Sequence, residues 1–186
     1  MEKYILFLRG INVGGKNKIS MTELKCALEE IGFTNVLTYI NSGNVLFSSE
    51  ISNQNVLIKK CEEMIIKKFE INISVFIITV EDLKTIHENK PEWWGVQSES
   101  VDYLIFSIPP MNVETIFSVM GAIKPEYEQI ADYQNVIYWS TPLSVFSKTK
   151  YSKIASSSVN NHVTIRNANT IVKLLKLADK YEQKNK

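Results

Sequence analysis

The chain has 186 residues, 45% hydrophobic and 22% charged, with a formal net charge of +1. That composition suits one domain or two small ones with a real core, and excludes a disordered or fibrous chain. No apolar run approaches the roughly 18 residues of a bilayer span, and no basic segment leads into a long apolar region, so a cytoplasmic protein without a membrane partner is expected.

Tyr4–Leu8 is apolar and β-prone and reads as a first strand; residues 10–19 form a Gly/Asn/Lys loop. Ser20-Met21-Thr22-Glu23 has the form of a capping box. Met21, Leu24, Ala27, Leu28 and Ile31 then recur at helical spacing, and Gly32 stops the helix. Val36–Ile40 and Val45–Phe47 read as strands around the turn Asn41–Asn44, residues 53–69 as a helix, and Ile73–Thr79 as a strand. The order is βαββαβ.

Residues 81–99 join this half to a second. There Val101–Ser107 reads as a strand, Val113–Met120 as a helix ended by Gly121, and Tyr127–Ala131 with Asn135–Trp139 as a hairpin around Asp132-Tyr133-Gln134. Ser144–Ser156 reads as a weak helix, His162–Ile165 as a strand, and Asn167 as the cap of a last helix. The fold class expected is α+β: two tandem ferredoxin-like βαββαβ subdomains with antiparallel sheets, residues 1–80 and 100–186, the second with a C-terminal helix. Right-handed crossovers would make the first two strands of each half parallel, with the third antiparallel between them. The loop at 10–19 and the turn at 41–44 should then leave the sheet on one rim, about 10 Å apart.

Of 21 basic residues only Arg9 and Arg166 are arginine. Lysine can supply solubility, but a planar guanidinium is needed to grip a carboxylate or phosphate with two parallel bonds. Residues 9–18 hold Arg9, Lys16 and Lys18 with no acid, and residues 144–166 hold Lys148, Lys150, Lys153 and Arg166 with no acid. Two such stretches could focus a field on an anion.

Gly10–Asn17 fits G-x-x-x-x-G-K but has Asn17 where Ser or Thr should hold magnesium, and the helix starts several residues late, so a nucleotide-hydrolysing phosphate loop is rejected. Two readings of Gly14-Gly15 stay open: a nest of amides near Lys16, or glycines that only make a turn. Arg166 likewise either clamps an anion at the last helix or ties that helix to its sheet.

The stretches Leu8–Lys18, Thr38–Val45, Pro91–Gly95, Tyr151–Lys153 and Thr164–Asn167 together resemble the bacterial domain-of-unknown-function family DUF1697. The resemblance implies a bacterial cytoplasmic protein with two ferredoxin-like subdomains and carries no activity. Ala168 stands where a tryptophan often follows the Arg-Asn pair in that family.

Trp93-Trp94 reads as packing in the seam between the halves, against a sharper reading as a stacking platform. His87, His162, Cys26 and Cys61 show no metal spacing, and no cofactor is expected. Glu29-Glu30, Glu62-Glu63, Glu126 and Glu128 read as solvated faces. The ligand-binding residues expected are Arg9, Asn12, Gly14, Gly15, Lys16, Asn41, Ser42 and Asn44 on the first rim, with Lys153, Arg166 and Asn167 from the second half. The ligand expected is a nucleotide or phosphorylated metabolite, with nucleic acid less favoured because the aromatic RNA-binding signature is missing. An uncharacterised transferase or hydrolase on an anionic substrate, and a homo-oligomerising interaction module, are the alternatives.

Overall fold

Five consecutive residues of strand β1 (Glu2–Leu8), Tyr4 to Leu8, are buried, so both faces of this strand are covered. That requirement explains the run of apolar residues without alternation. The computed structural model describes residues 1–184, and the chain divides into one unit of Met1–Lys84 with Leu174–Lys186 and another of Thr85–Lys173.

In the first unit, β1 is followed by α1 (Met21–Glu30), β2 (Thr34–Tyr39), β3 (Asn44–Ser49), α2 (Gln54–Phe69) and β4 (Val75–Thr79). The sheet order is β2-β3-β1-β4, with every neighbouring pair antiparallel. β1 and β2 therefore run parallel with β3 between them, as the βαββαβ order requires. Tyr4, Leu6 and Leu8 face Leu24 and Leu28 of α1 and Leu57, Cys61 and Ile65 of α2 in one core. Ser20 Oγ accepts from Glu23 N at 3.4 Å, and Asn53 Oδ1 accepts from Asn55 N and Val56 N at 3.0 and 3.3 Å. Both caps satisfy amides that have no partner inside the helix. Burial pushes the Cys61 thiol up to about 12, whereas Cys26 is exposed.

The segment after β4 holds an element absent from the sequence reading, helix α3 (Val80–Glu88). Thr79 Oγ1 accepts from Asp82 N at 3.0 Å and starts it.

The second unit has β5 (Ser100–Ser107), α4 (Val113–Met120), β6 (Gln129–Tyr133), β7 (Val136–Pro142) and β8 (Val163–Asn167), in sheet order β6-β7-β5-β8. This repeats the first sheet's topology. Helix α5 (Ala168–Lys184) follows, with Asn167 Oδ1 accepting from Asn169 N at 2.9 Å. The core joins Ile105, Ile137 and Trp139 of the sheet to Ile116, Tyr151 and Ile154. Trp94 is buried in this unit: its indole donates to Tyr103 O at 3.0 Å and meets Tyr138 edge-on at 5.7 Å.

Two expectations need correction. In place of a helix at Ser144–Ser156 the chain makes three 3-10 segments, Leu143–Lys148, Tyr151–Ser156 and Asn160–His162. The hydroxyls of Thr149, Ser152, Ser156 and Ser157 each donate to the carbonyl three residues back, at 2.7–3.1 Å. Such local bonds compete with a helical ladder. Glu128 is not on a solvated face but 2% exposed. Its oxygens accept from Trp139 Nε1 (3.0 Å), Lys150 N (2.7 Å), Tyr151 N (3.2 Å) and Lys124 N (3.4 Å). A carboxylate removed from water needs such donors, and here it ties the hairpin to the 3-10 segments.

Candidate functional site

The loop after β1 is held at both ends by apolar anchors, since Ile11 and Ile19 are buried in the first unit's core. Between them the chain folds back on itself. Asn12 N donates to Asn17 O at 3.2 Å and Lys16 N to Val13 O at 3.1 Å. Gly14 and Gly15 both have positive φ, +58° and +76°. Those values and the bond across Val13–Lys16 define a type I′ turn. The two glycines are thus spent on a tight hairpin tip.

Asn12 fixes that hairpin to the rest of the rim. Its Oδ1 accepts from Ile19 N, and its Nδ2 donates to Ile19 O and to Asn41 O, all at 2.9 Å. Asn41 lies in the β2–β3 turn, so the two loops do meet on one edge. Gly43 supports the meeting from below: its φ is +75°, Leu8 N donates to its carbonyl at 2.8 Å, and a Cβ there would lie 2.8 Å from Leu8 Cβ and Ile11 Cδ1. Asn44 is fully buried, and its amide donates to Tyr39 O and Ser42 Oγ at 3.2 and 3.0 Å.

A groove of about 610 Å³ opens between the hairpin, the β2–β3 turn and the first turn of α1. Asn12, Gly15, Lys18, Ile19, Ser20, Met21, Thr22 and Asn41 line it, with no acidic side chain. Lys18 is exposed and has no acidic partner among the described residues. The amides at the start of α1 add a positive end to the same wall.

Of the residues expected on this rim, Asn12, Gly15 and Asn41 line the groove, while Arg9, Gly14, Lys16, Ser42 and Asn44 do not. Arg9 is half-buried, and burial lowers its pKa, although a guanidinium stays charged in any case. Lys153, Arg166 and Asn167 lie in the second unit. Lys153 is exposed on a 3-10 segment, Asn167 caps α5, and Arg166 Nη1 donates to Thr164 Oγ1 and Ile165 O at 3.1 and 2.8 Å. Lys148 and Lys124 flank the Tyr127 ring at 5.5 and 5.7 Å. Lys18, Ser20, Met21 and Thr22 line the groove although the sequence reading did not select them. The capping box was the available signal, since it fixes where the helix amides begin.

A family model described as a protein of unknown function (DUF1697) matches residues 1–138. The chain belongs to the DUF1697 family. The motifs at Leu8–Lys18, Thr38–Val45 and Pro91–Gly95 fall inside the matched range. The solved structure of a conserved bacterial protein from Streptococcus pneumoniae is 32% identical, with a TM-score of 0.82 over 94% of this chain and 97% of that one. No curated protein matches the chain. Among the described residues of this DUF1697 protein no group of three His, Cys, Asp or Glu side chains could hold a metal ion, and no helix is long and apolar enough to cross a membrane.

Proposed function

We propose that this protein binds a small phosphate-bearing molecule, a nucleotide or phosphorylated metabolite, in the groove at the start of α1, and does so in the cytoplasm. The observation that supports this reading is the composition of the groove: Lys18 and the opening residues of α1, Ser20 to Thr22, line it, and no carboxylate does. A helix N-terminus and an unpaired ammonium act in the same direction on a phosphate, each contributing on the order of 1 kcal/mol near the surface. Asn12 supplies rigidity rather than a contact, because its amide hydrogens and its oxygen are already engaged. The groove is lined by neither a carboxylate nor an imidazole, so binding is favoured over hydrolysis or transfer.

The test is calorimetry and thermal shift with inorganic phosphate, polyphosphate, AMP, ATP and ribose 5-phosphate. At least one phosphate ester should bind, and added salt should weaken it. Lys18→Ala should weaken it about ten-fold, or about 1.4 kcal/mol. If none of these ligands binds, or if Lys18→Ala leaves every response unchanged, the reading is wrong.

A further inference from the structure

We infer that the second unit carries a docking surface for a single-stranded nucleic acid, formed by Lys124, Lys148, Lys150 and Lys153 around the ring of Tyr127. The sequence from Tyr133 to Ala178 contains no aspartate or glutamate. The fold adds Lys124 to three lysines of that stretch. Lys124 N and Lys150 N both donate to Glu128 Oε1, at 3.4 and 2.7 Å, so one buried carboxylate draws the two backbones together. Lys124 Nζ and Lys148 Nζ lie 5.7 and 5.5 Å from the centre of the Tyr127 ring. Lys153 N donates to Lys150 O at 3.0 Å, one 3-10 turn on, and side chains three residues apart eclipse in such a turn.

Lys124, Lys148 and Lys153 are exposed and Lys150 is half-buried. None of the four has an acidic partner among the described residues. Glu126 is exposed beside Tyr127 but pairs with none of them. Gathering like charges raises the free energy of the patch, and a polyanion lowers it again.

The chemistry of the patch selects the partner. A small phosphate ester is held in an enclosed pocket, whereas these lysines stand outside one. The adjacent pocket of about 130 Å³ is lined by Glu126, Tyr127 and Glu128 and by none of the four lysines. A folded acidic protein needs apolar anchors at the centre of its interface, and none of the large hydrophobic residues between Ser144 and His162 is exposed. A polynucleotide meets both conditions. Its phosphates take ammonium groups one at a time, without the planar grip of arginine. Tyr127 offers a ring on which a base stacks once the lysines turn to the phosphates. A flexible single strand follows a surface of short turns better than a stiff duplex does. This surface is independent of the groove at α1.

The test is fluorescence anisotropy of the full-length protein with labelled oligouridine and oligothymidine of about 20 nucleotides, over salt from about 50 to 200 mM. A duplex of the same length and poly-L-glutamate are the controls. At least one single strand should bind more tightly than either control, and log K should fall with log salt at a slope of about −3, as four phosphate contacts require. Replacing all four lysines by alanine should weaken binding at least about ten-fold and bring the slope close to zero. Tyr127→Leu should weaken binding about ten-fold and leave the slope unchanged. Four results overturn the inference: no single strand binding below about 100 μM at the lowest salt, a control that binds equally well, a folded four-lysine variant that keeps the parent affinity or slope, or a folded Tyr127→Leu that binds as before. The parent chain's slope and its ranking of single strand, duplex and polyglutamate decide the matter even if a variant does not fold.

Discussion

The side-chain amide of Asn12 donates to the carbonyl of Asn41 at 2.9 Å and joins two loops that are 29 residues apart in sequence. The same side chain exchanges two bonds with the backbone of Ile19, and Asn12 holds a φ of +56° that asparagine tolerates better than most residues. One residue thus sets both the base of the hairpin and its distance from the β2–β3 turn.

Asn12→Ala removes three hydrogen bonds and puts a less tolerant residue at positive φ. We expect a loss of about 2–3 kcal/mol in urea unfolding, together with loss of any phosphate response from the groove. A cost below about 1 kcal/mol would mean that Ile11 and Ile19 hold the loop unaided.

Gly43→Ala should be at least as costly. The new methyl group would need φ near +75° and would sit 2.8 Å from Leu8 Cβ and Ile11 Cδ1. Backbone strain and overpacking together predict about 2–4 kcal/mol of destabilisation, measured by the same unfolding experiment. A neutral variant would show that β1 and the turn can separate at little cost.

Glu128→Gln tests the buried carboxylate of the second unit. One oxygen becomes an NH₂ group facing two N–H donors, either those of Lys124 and Lys150 or those of Trp139 and Tyr151. The expected loss is about 3 kcal/mol, with a changed near-ultraviolet signal from Trp139. A variant as stable as the parent would mean that the 3-10 segments are held by their apolar residues.

His87 predicts a pH dependence. Burial first, then Lys90, holds its imidazole below the ordinary 6.5. In the folded chain it is therefore neutral where the unfolded chain already binds a proton. Stability should fall as pH drops below about 6.5, until the folded pKa is passed. His87→Gln should remove this component, so the parent should lose stability relative to the variant between about pH 7 and pH 5 in denaturant titrations. Parallel curves would contradict the assignment.

The topology was legible because local signals agreed with each other. Ser20 and Gly32 bracket α1, and the strand order that follows from βαββαβ brings the loops bearing Asn12 and Asn41 to one edge. Hydroxyl chemistry defeated the helix reading after Ser144: Thr149 and the serines have fair helical spacing, but their side chains bond the nearby carbonyls instead. The start of α3 was present in Thr79-Val80-Glu81-Asp82, a capping-box pattern in a segment read as a connector. Glu128 could not be placed, because its donors come from residues 124, 139, 150 and 151, which only tertiary folding assembles. Asn12, Gly15 and Asn41 were legible as residues of the groove, whereas its cation was not. Arginine scarcity drew attention to Arg9, whereas the lining cation is Lys18, set by where the hairpin returns to α1.

Leu174–Lys186 belongs to the same unit as Met1–Lys84, and Lys84 reaches Asp179 there at 2.8 Å. On the ribosome, the intervening residues 85–173 must emerge first, a delay on the order of ten seconds. The amino-terminal unit is thus translated early yet receives its last structural piece late. Nascent chains stalled before Leu174 should therefore protect that unit from protease less well than released protein does.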